Sequence, residues 1–240
     1  MSSQTIVLIS GANRGLGFET AKNLILSENH NYQVLLGGRD LSKAQKTAET
    51  LNALPNIKGG VSPQQKSPSK LGTFSHLDIL VNNTAIYILN PADSGSALRA
   101  TLDTNVIGVA ELTESFLPLL RRSKSPRLIL VSSSNDSMTY NLDPDSPYGG
   151  TFAIEYRVSK AALNMLLMYY YMSLKDIVVL GVDPEFCATE AIGDSDALRK
   201  RGAVERDVGG GVVASVVRGD GGRGGLCMVL KGSFRGEIRL

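Results

Sequence analysis

Thr5-Ile6-Val7-Leu8-Ile9-Ser10-Gly11-Ala12-Asn13-Arg14-Gly15-Leu16-Gly17 opens the chain with an apolar run, a glycine-rich turn and the start of an amphipathic stretch. An uninterrupted apolar run bounded by a turn reads as a strand buried on both faces, as in a parallel sheet. Gly11 permits a tight turn off that strand, Gly15 lets backbone approach a bound pyrophosphate, and Gly17 lets the new helix pack on the sheet. The helix that begins there, 16–27, presents free N–H groups and a positive dipole end to phosphate. No Gly-Lys-Ser/Thr follows, so this is not the loop of a nucleoside-triphosphatase. Three glycines alone are also compatible with a plain strand-to-helix turn.

Working outward, further apolar runs at 32–36, 56–61, 77–82, 127–132, 177–182 and 226–230 alternate with helical patterns at 41–54, 97–120, 156–174 and 204–217. Such alternation predicts an α/β fold, a Rossmann-like doubly wound parallel sheet of about seven strands with helices on both faces. The length of 240 residues suits one dinucleotide-binding domain spanning 1–240 with the substrate site included. One crossover is short. Residues 62–69, rich in Ser, Pro, Gln and Lys and holding Pro63 and Pro68, read as loop, so the third helix is expected to be reduced or missing and the third strand weak.

Bulk properties exclude several classes. Apolar content of 42% and a formal net charge of +2 argue against disorder and give nucleic-acid binding no support. Two cysteines and two histidines fit no metal or disulfide pattern, so no metal is expected. No secretory leader is evident, and the longest apolar stretch, 161–174, is interrupted by Asn164. A soluble, cytoplasmic protein that engages no membrane is the expectation.

The second strand ends in Leu36-Gly37-Gly38-Arg39-Asp40. An acidic residue at this place would hold the ribose hydroxyl of NAD, whereas Arg39, with Arg14 from the glycine turn, matches the 2′-phosphate of NADP in charge and shape. NADP(H) is the expected cofactor; NAD stays open if Asp40 turns inward, and both arginines could be solvated surface residues. At the chemical end, Tyr156 and Lys160 lie one helical turn apart on one face. An ammonium there favours the phenolate, and a tyrosine so placed can pass a proton to or from an alcohol or carbonyl oxygen. Ser132-Ser133-Ser134 follow the fifth strand at the carboxyl edge where ligands bind. Asn105 is a polar residue in an apolar helical stretch, and its amide must either bridge backbone or serve a water chain.

Taken in order along the chain, these motifs resemble the short-chain dehydrogenase/reductase family, and residues 10–17 with Asn13 and Arg14 are most similar to its carbonyl-reductase-like, NADP-preferring members. Asn82-Asn83-Thr84-Ala85 resembles the family's Asn-Asn-Ala-Gly motif. Asn105, Ser133, Tyr156 and Lys160 fall where the family keeps its catalytic tetrad, and Pro184 with Thr189 resembles the nicotinamide-side segment. The resemblance implies that Tyr156 is the proton donor in reduction and that Lys160 lowers its pKa and binds the nicotinamide ribose. Ser133 orients the substrate oxygen, with Ser134 as its neighbour, and Asn105 holds a water. It further implies cofactor contacts from Gly11, Asn13, Arg14, Gly15, Leu16, Gly17, Arg39, Asn83, Tyr156, Lys160, Pro184 and Thr189.

Four features depart from the family pattern. No acid follows the third strand near Gln64, Thr84-Ala85 add bulk, Glu185 replaces a glycine, and the interval between Ser133 and Tyr156 is long, which makes 136–150 a loop at the substrate mouth. The expected function is therefore an NADP(H)-dependent oxidoreductase acting on a small-molecule ketone or aldehyde, or on the matching alcohol. The alternative is a degenerate or truncated relative that binds a dinucleotide weakly or not at all and acts as a non-catalytic binding module. Family practice implies a homodimer formed through helices 97–120 and 156–174, with aromatic surface at Tyr169-Tyr170-Tyr171, although core packing accounts for the same residues.

Overall fold

A computed structural model describes residues 4–65, 74–146, 152–190, 192–220 and 227–229. Strand β1 (Thr5–Ser10) leads through the glycine turn into helix α1 (Gly15–Ile25). Then follow β2 (Tyr32–Gly38), α2 (Leu41–Asn52), β3 (Gly60–Gln65) and β4 (Ile79–Asn82). Helices α3 (Ser94–Leu102) and α4 (Gly108–Leu120) lead to β5 (Arg127–Val131), and the short α5 (Met138–Leu142) precedes the long α6 (Ile154–Ser173). The chain continues through β6 (Val178–Val182), β7 (Cys187–Ala188), α7 (Ser195–Lys200), β8 (Val204–Glu205), α8 (Arg206–Arg218) and β9 (Cys227–Val229).

The main sheet runs β3-β2-β1-β4-β5-β6-β9. Strand order reverses direction between β1 and β4, and the crevice above their carboxyl ends is where an open α/β sheet takes its ligand. Residues of β1 alternate between two cores because successive side chains leave opposite faces of a strand. Val7 and Ile9 join a cluster with Leu24, Val34 and Val213 on the α1–α2–α8 side. Ile6 and Leu8 join Phe116, Leu163 and Tyr170 on the α4–α6 side.

The doubly wound α/β reading holds, with local corrections. β9 runs antiparallel to β6, pairing Leu180 with Val229, so the sheet is parallel only up to β6; an edge strand has a neighbour on one side and can take either direction. Leu226 and Leu230 lie outside the described residues.

The third strand is displaced from 56–61 to Gly60–Gln65 and absorbs Ser62–Gln65 from the expected loop. Asn56 takes a left-handed φ of 62° that breaks extension, and Asn52 grips Val61 at both its N–H (3.0 Å) and carbonyl (2.8 Å). Pro63 is tolerated because β3 is an edge strand. The shortened crossover, with Pro68, falls on 66–73, outside the described residues. Helix 97–120 starts earlier, on the Asp93 cap, and is split by a π turn, Asp103–Ile107, that carries Asn105. Residues 204–205 pair with β7 instead of opening the last helix. The substrate-mouth loop contains α5, and its 147–150 portion lies outside the described residues.

Helix α8 meets α1 across glycines. A Cβ on Gly210 would stand 2.4 Å from Glu19 Cβ and 2.9 Å from the Glu19 backbone carbon, a clash that no rotamer relieves. Gly210→Ala is expected to destabilise the fold by about 1–3 kcal/mol, read as a lower Tm in thermal unfolding, despite alanine's better helix propensity.

Candidate active site

A cleft of about 770 Å³ lies over the β1–β4 crevice, and a smaller cavity of about 100 Å³ opens beside it. Gly11 and Gly15 turn the chain with positive φ values of 68° and 58°. Nothing stands within 4 Å of where a Gly15 Cβ would be, so backbone faces open cleft there. Gly17 is different. Its missing Cβ leaves room for the Asn83 amide and for Ala12, so it packs the helix rather than lining the cleft. Asn83 donates to the carbonyls of Ser10 (2.9 Å) and Gly11 (3.5 Å), and Ser10 Oγ accepts from the N–H groups of Asn83 and Thr84, both at 3.0 Å. Asn83 thus braces the glycine turn from behind. Thr84 Oγ1 presses to 2.8 Å from the Gly11 Cβ position, which is the added bulk expected from its replacing alanine.

At one end of the cleft Arg14 and Arg39 are joined by Lys43 and Lys46, two cations that the sequence reading missed. Asp40 lines the same end of the cleft, its Oδ2 standing 3.8 Å from Lys43 Nζ. Its carboxylate caps α2, accepting from Ser42 N–H (3.0 Å), Lys43 N–H (3.2 Å) and Ser42 Oγ (2.6 Å). The Ser42 hydroxyl and the Lys43 amide lower its pKa. The signal for the lysines was available: after an Asp cap, positions in the first two helical turns project beside the capped terminus.

The other end holds Tyr156, Thr189 and, in the adjoining cavity, Ser133, Lys160 and Pro184. The Ser133 side chain stands near the Tyr156 hydroxyl and favours its ionised form. Lys160 sits one turn along α6 with Nζ 5.5 Å from the Tyr156 ring centre, and it donates to the carbonyl of Val131 at 2.7 Å. Burial pulls the lysine pKa down to about 8, opposed by the carboxylates of Asp136 and Asp183.

The expected depression of the tyrosine pKa is corrected here. Desolvation, followed by Asp183, drives it above the ordinary phenol value, with the Ser133 side chain opposing. The ammonium points to Val131 instead of the phenol oxygen, which explains why it fails to win. Asn105 lines neither cavity. Its amide clamps both backbone groups of Ile86 (2.8 and 3.0 Å) and donates to Ser159 Oγ (2.9 Å), which in turn donates to the Tyr156 carbonyl (2.7 Å). The side chain thus bridges backbone, one of its two expected roles.

Three polar groups near Lys160 had no sequence signal. Asp183 accepts from Ser134 Oγ, Ser134 N–H (2.7 Å) and Glu185 N–H (2.9 Å). Asp136 accepts from the Asn164 amide, whose oxygen accepts from Ser132 Oγ at 2.6 Å. Burial raises the Asp136 pKa to about 6 against the opposing charge of Lys160. Ser134 is therefore committed to Asp183, and Ser133 is the hydroxyl left beside Tyr156. Among the described residues no group of three or more His, Cys, Asp or Glu gathers as metal ligands, and no helix is long and apolar enough to cross a membrane.

With this geometry in view, comparison with known proteins places the chain in a family. Residues 5–199 match the short chain dehydrogenase family model, and the chain belongs to the short-chain dehydrogenase/reductase family of oxidoreductases. Among its relatives are the short-chain dehydrogenase/reductase tropE of Talaromyces stipitatus, 35% identical over 92% of each chain, and eupG of a Phoma species, 34% identical over 89% of this chain and 90% of the relative. Solved structures that resemble it include the NADPH-bound carbonyl reductase from chicken fatty liver, with TM-score 0.69, 26% identity and coverage of 88% and 90%. At the level of fold it also matches an alcohol dehydrogenase from Thermococcus sibiricus complexed with 5-hydroxy-NADP, with TM-score 0.71, 17% identity and coverage of 90% and 91%.

Glu185 occupies a left-handed backbone conformation, φ 69°, at the place where the family pattern has glycine. A side chain there costs about 1–2 kcal/mol, partly offset by the extra unfolded-state freedom that glycine brings. Glu185→Gly is expected to raise stability by about 0.5–1 kcal/mol, measured as an upward shift of the urea midpoint at unchanged m-value.

Proposed function

We propose that this chain is an NADP(H)-dependent reductase of ketones or aldehydes, able to run in reverse on the matching alcohol. The observation that carries the reading is that Tyr156, Ser133 and Lys160, the last one helical turn from the tyrosine, together line the cavity that adjoins one end of a large cleft, with Tyr156 bordering both. When bound, the nicotinamide supplies the two electrons and the hydrogen that reduce the carbonyl carbon. The chain's own residues do the rest. The free N–H groups at the start of α1, beside the open backbone of Gly15, take the pyrophosphate, with Asn13 and Leu16 lining the turn. Arg14 and Arg39, helped by Lys43 and Lys46, take the 2′-phosphate, while the Asp40 carboxylate at the same end is occupied by the α2 cap through Oδ1 and by Lys43 through Oδ2. Thr189 and Pro184 would border the nicotinamide side, and Lys160 would hold the ribose.

Ser133 holds the substrate oxygen and Tyr156 gives it the proton. A phenol whose pKa is raised is protonated at neutral pH and so carries the proton that the reduced oxygen needs. Asn105 is a positioning residue that fixes the first turn of α6 through Ser159. Thr84 lines the cleft against Gly11 and Glu185 lines the smaller cavity, and the match along nearly the full length of tropE lends the truncated-relative reading no support. A homodimer is supported by exposed Met165, Tyr169 and Met172 on one side of α6, at 72%, 61% and 61% exposure, while Tyr170 is buried and belongs to the core.

The test is NADPH oxidation with a panel of ketones, aldehydes and quinones. Turnover is expected, falling about 10²–10⁴-fold in Tyr156→Phe; no turnover with any carbonyl, alongside micromolar NADPH binding by calorimetry, would move the chain to the binding-module reading. In the same assay Arg39→Asp is expected to weaken NADPH relative to NADH. Equal use of both cofactors before and after would refute the arginine argument.

A further inference from the structure

The smaller cavity beside Tyr156 has walls that the reaction itself does not require. Tyr87 packs its ring at a tilt against the reacting tyrosine, ring centres 5.1 Å apart at 52°. Phe152 and Phe186 line the same space, and Arg201, the residue that ends α7, lays its guanidinium over both rings, 5.5 Å and 5.8 Å from their centres. The chain brings Arg201 here by pairing β7 with β8, which closes the excursion through α7 back onto the cavity mouth.

Arg201 forms no ion pair among the described residues. Aromatic rings offer a guanidinium no acceptor oxygen, so its N–H groups stay available, and their fork fits a pair of carboxylate oxygens. Lys160, the other cation of the cavity, is already committed to Val131. Glu185 is the sole acidic residue among the described residues that line it, and it has no ion pair with Arg201.

We infer that the substrate is an aromatic carbonyl compound that also carries an anionic oxygen group, its ring held against Tyr87 and Phe186 and its anion against the edge of Arg201. The inference rests on the reductase reading above and adds the substrate class to it. Carboxylates and ionised phenols share this chemistry. In either case Arg201 sets specificity, and Glu185 penalises an anion placed at the wrong end.

The experiment compares 4-formylbenzoate, its neutral isostere 4-formylbenzamide and the acidic phenol 4-hydroxybenzaldehyde in wild type, Arg201→Gln, Arg201→Lys and Glu185→Gln. Wild type is expected to favour the carboxylate over the carboxamide by about 10-fold or more in kcat/KM, mostly through KM. That ratio should collapse towards unity in Arg201→Gln, recover in part in Arg201→Lys and grow in Glu185→Gln. If the phenol's rate climbs with its ionisation, a phenolate serves as the anion; if only the carboxylate gains, a carboxylate does. An equal rate for carboxylate and carboxamide in wild type, or a ratio untouched by Arg201→Gln, overturns the inference and leaves the reductase reading standing. Should none of these aldehydes turn over while another carbonyl of the panel does, the substrate class inferred here fails and the reductase reading stands; should no carbonyl turn over, the reductase reading fails by itself. Calorimetric titration with terephthalate against terephthalamide then decides the subsite. Carboxylate-selective binding that Arg201→Gln abolishes supports it, and equal binding of the two refutes it.

Discussion

Ser10 Oγ accepts two backbone N–H groups from the end of β4 while Asn83 returns its amide to the Ser10 carbonyl, and this small reciprocal seam joins the two strands at which the sheet changes direction. Everything the cleft offers depends on that closure. The seam holds Gly11 and Gly15 in their left-handed conformations and sets Gly17 tightly enough on Asn83 that α1 starts at one fixed place with its N–H groups facing outward. Without it the glycine turn would be an ordinary loop, and a dipole end without a fixed position binds nothing in particular. The cost is low because Ser10 is buried at 1% exposure, where its hydrogen bonds meet no competition from water.

The second constraint is electrostatic. Lys160 is an ammonium buried at 2% exposure whose direct partner is a neutral carbonyl, with Asp136 and Asp183 as the charges that keep it ionised. Those carboxylates are themselves held by Ser134, Asn164 and, through Asn164, Ser132. Their field also pushes Tyr156 towards its neutral form. Lysine and tyrosine are thus poised together by a shared polar network, and the state of one cannot be assigned from its spacing to the other alone.

Asn105 shows how a motif can be right in place and different in means. Its residue type predicts a buried amide with several partners, and it has them, yet these are the backbone of Ile86 and the hydroxyl of Ser159. The π turn around it is the local price of aiming that side chain across to α6. Arg39 and Asp40 make a similar pair. Both line the cleft, but they differ in role, because the start of α2 takes the Asp40 carboxylate as its cap while Arg39 caps no helix among the described residues.

The sequence by itself determined the order of strands and helices, the glycine turn, the Tyr156–Lys160 face and the cationic end near Arg14 and Arg39, because periodicity, turn chemistry and caps act over a few residues. It misplaced β3, since Pro63 argues against a strand until the sheet order shows that this strand has an edge to spare. It joined α3 to α4, since the π turn arises from a partner on β4's extension that no local pattern announces. Tertiary structure alone decided the direction of β9, the pull of Asp136 and Asp183 on the proton-carrying groups, and the meeting of Tyr87, Phe152, Phe186 and Arg201. Those residues come from four separate stretches of chain, and burial, field and contact between distant segments exist only once the sheet has brought their ends to one edge.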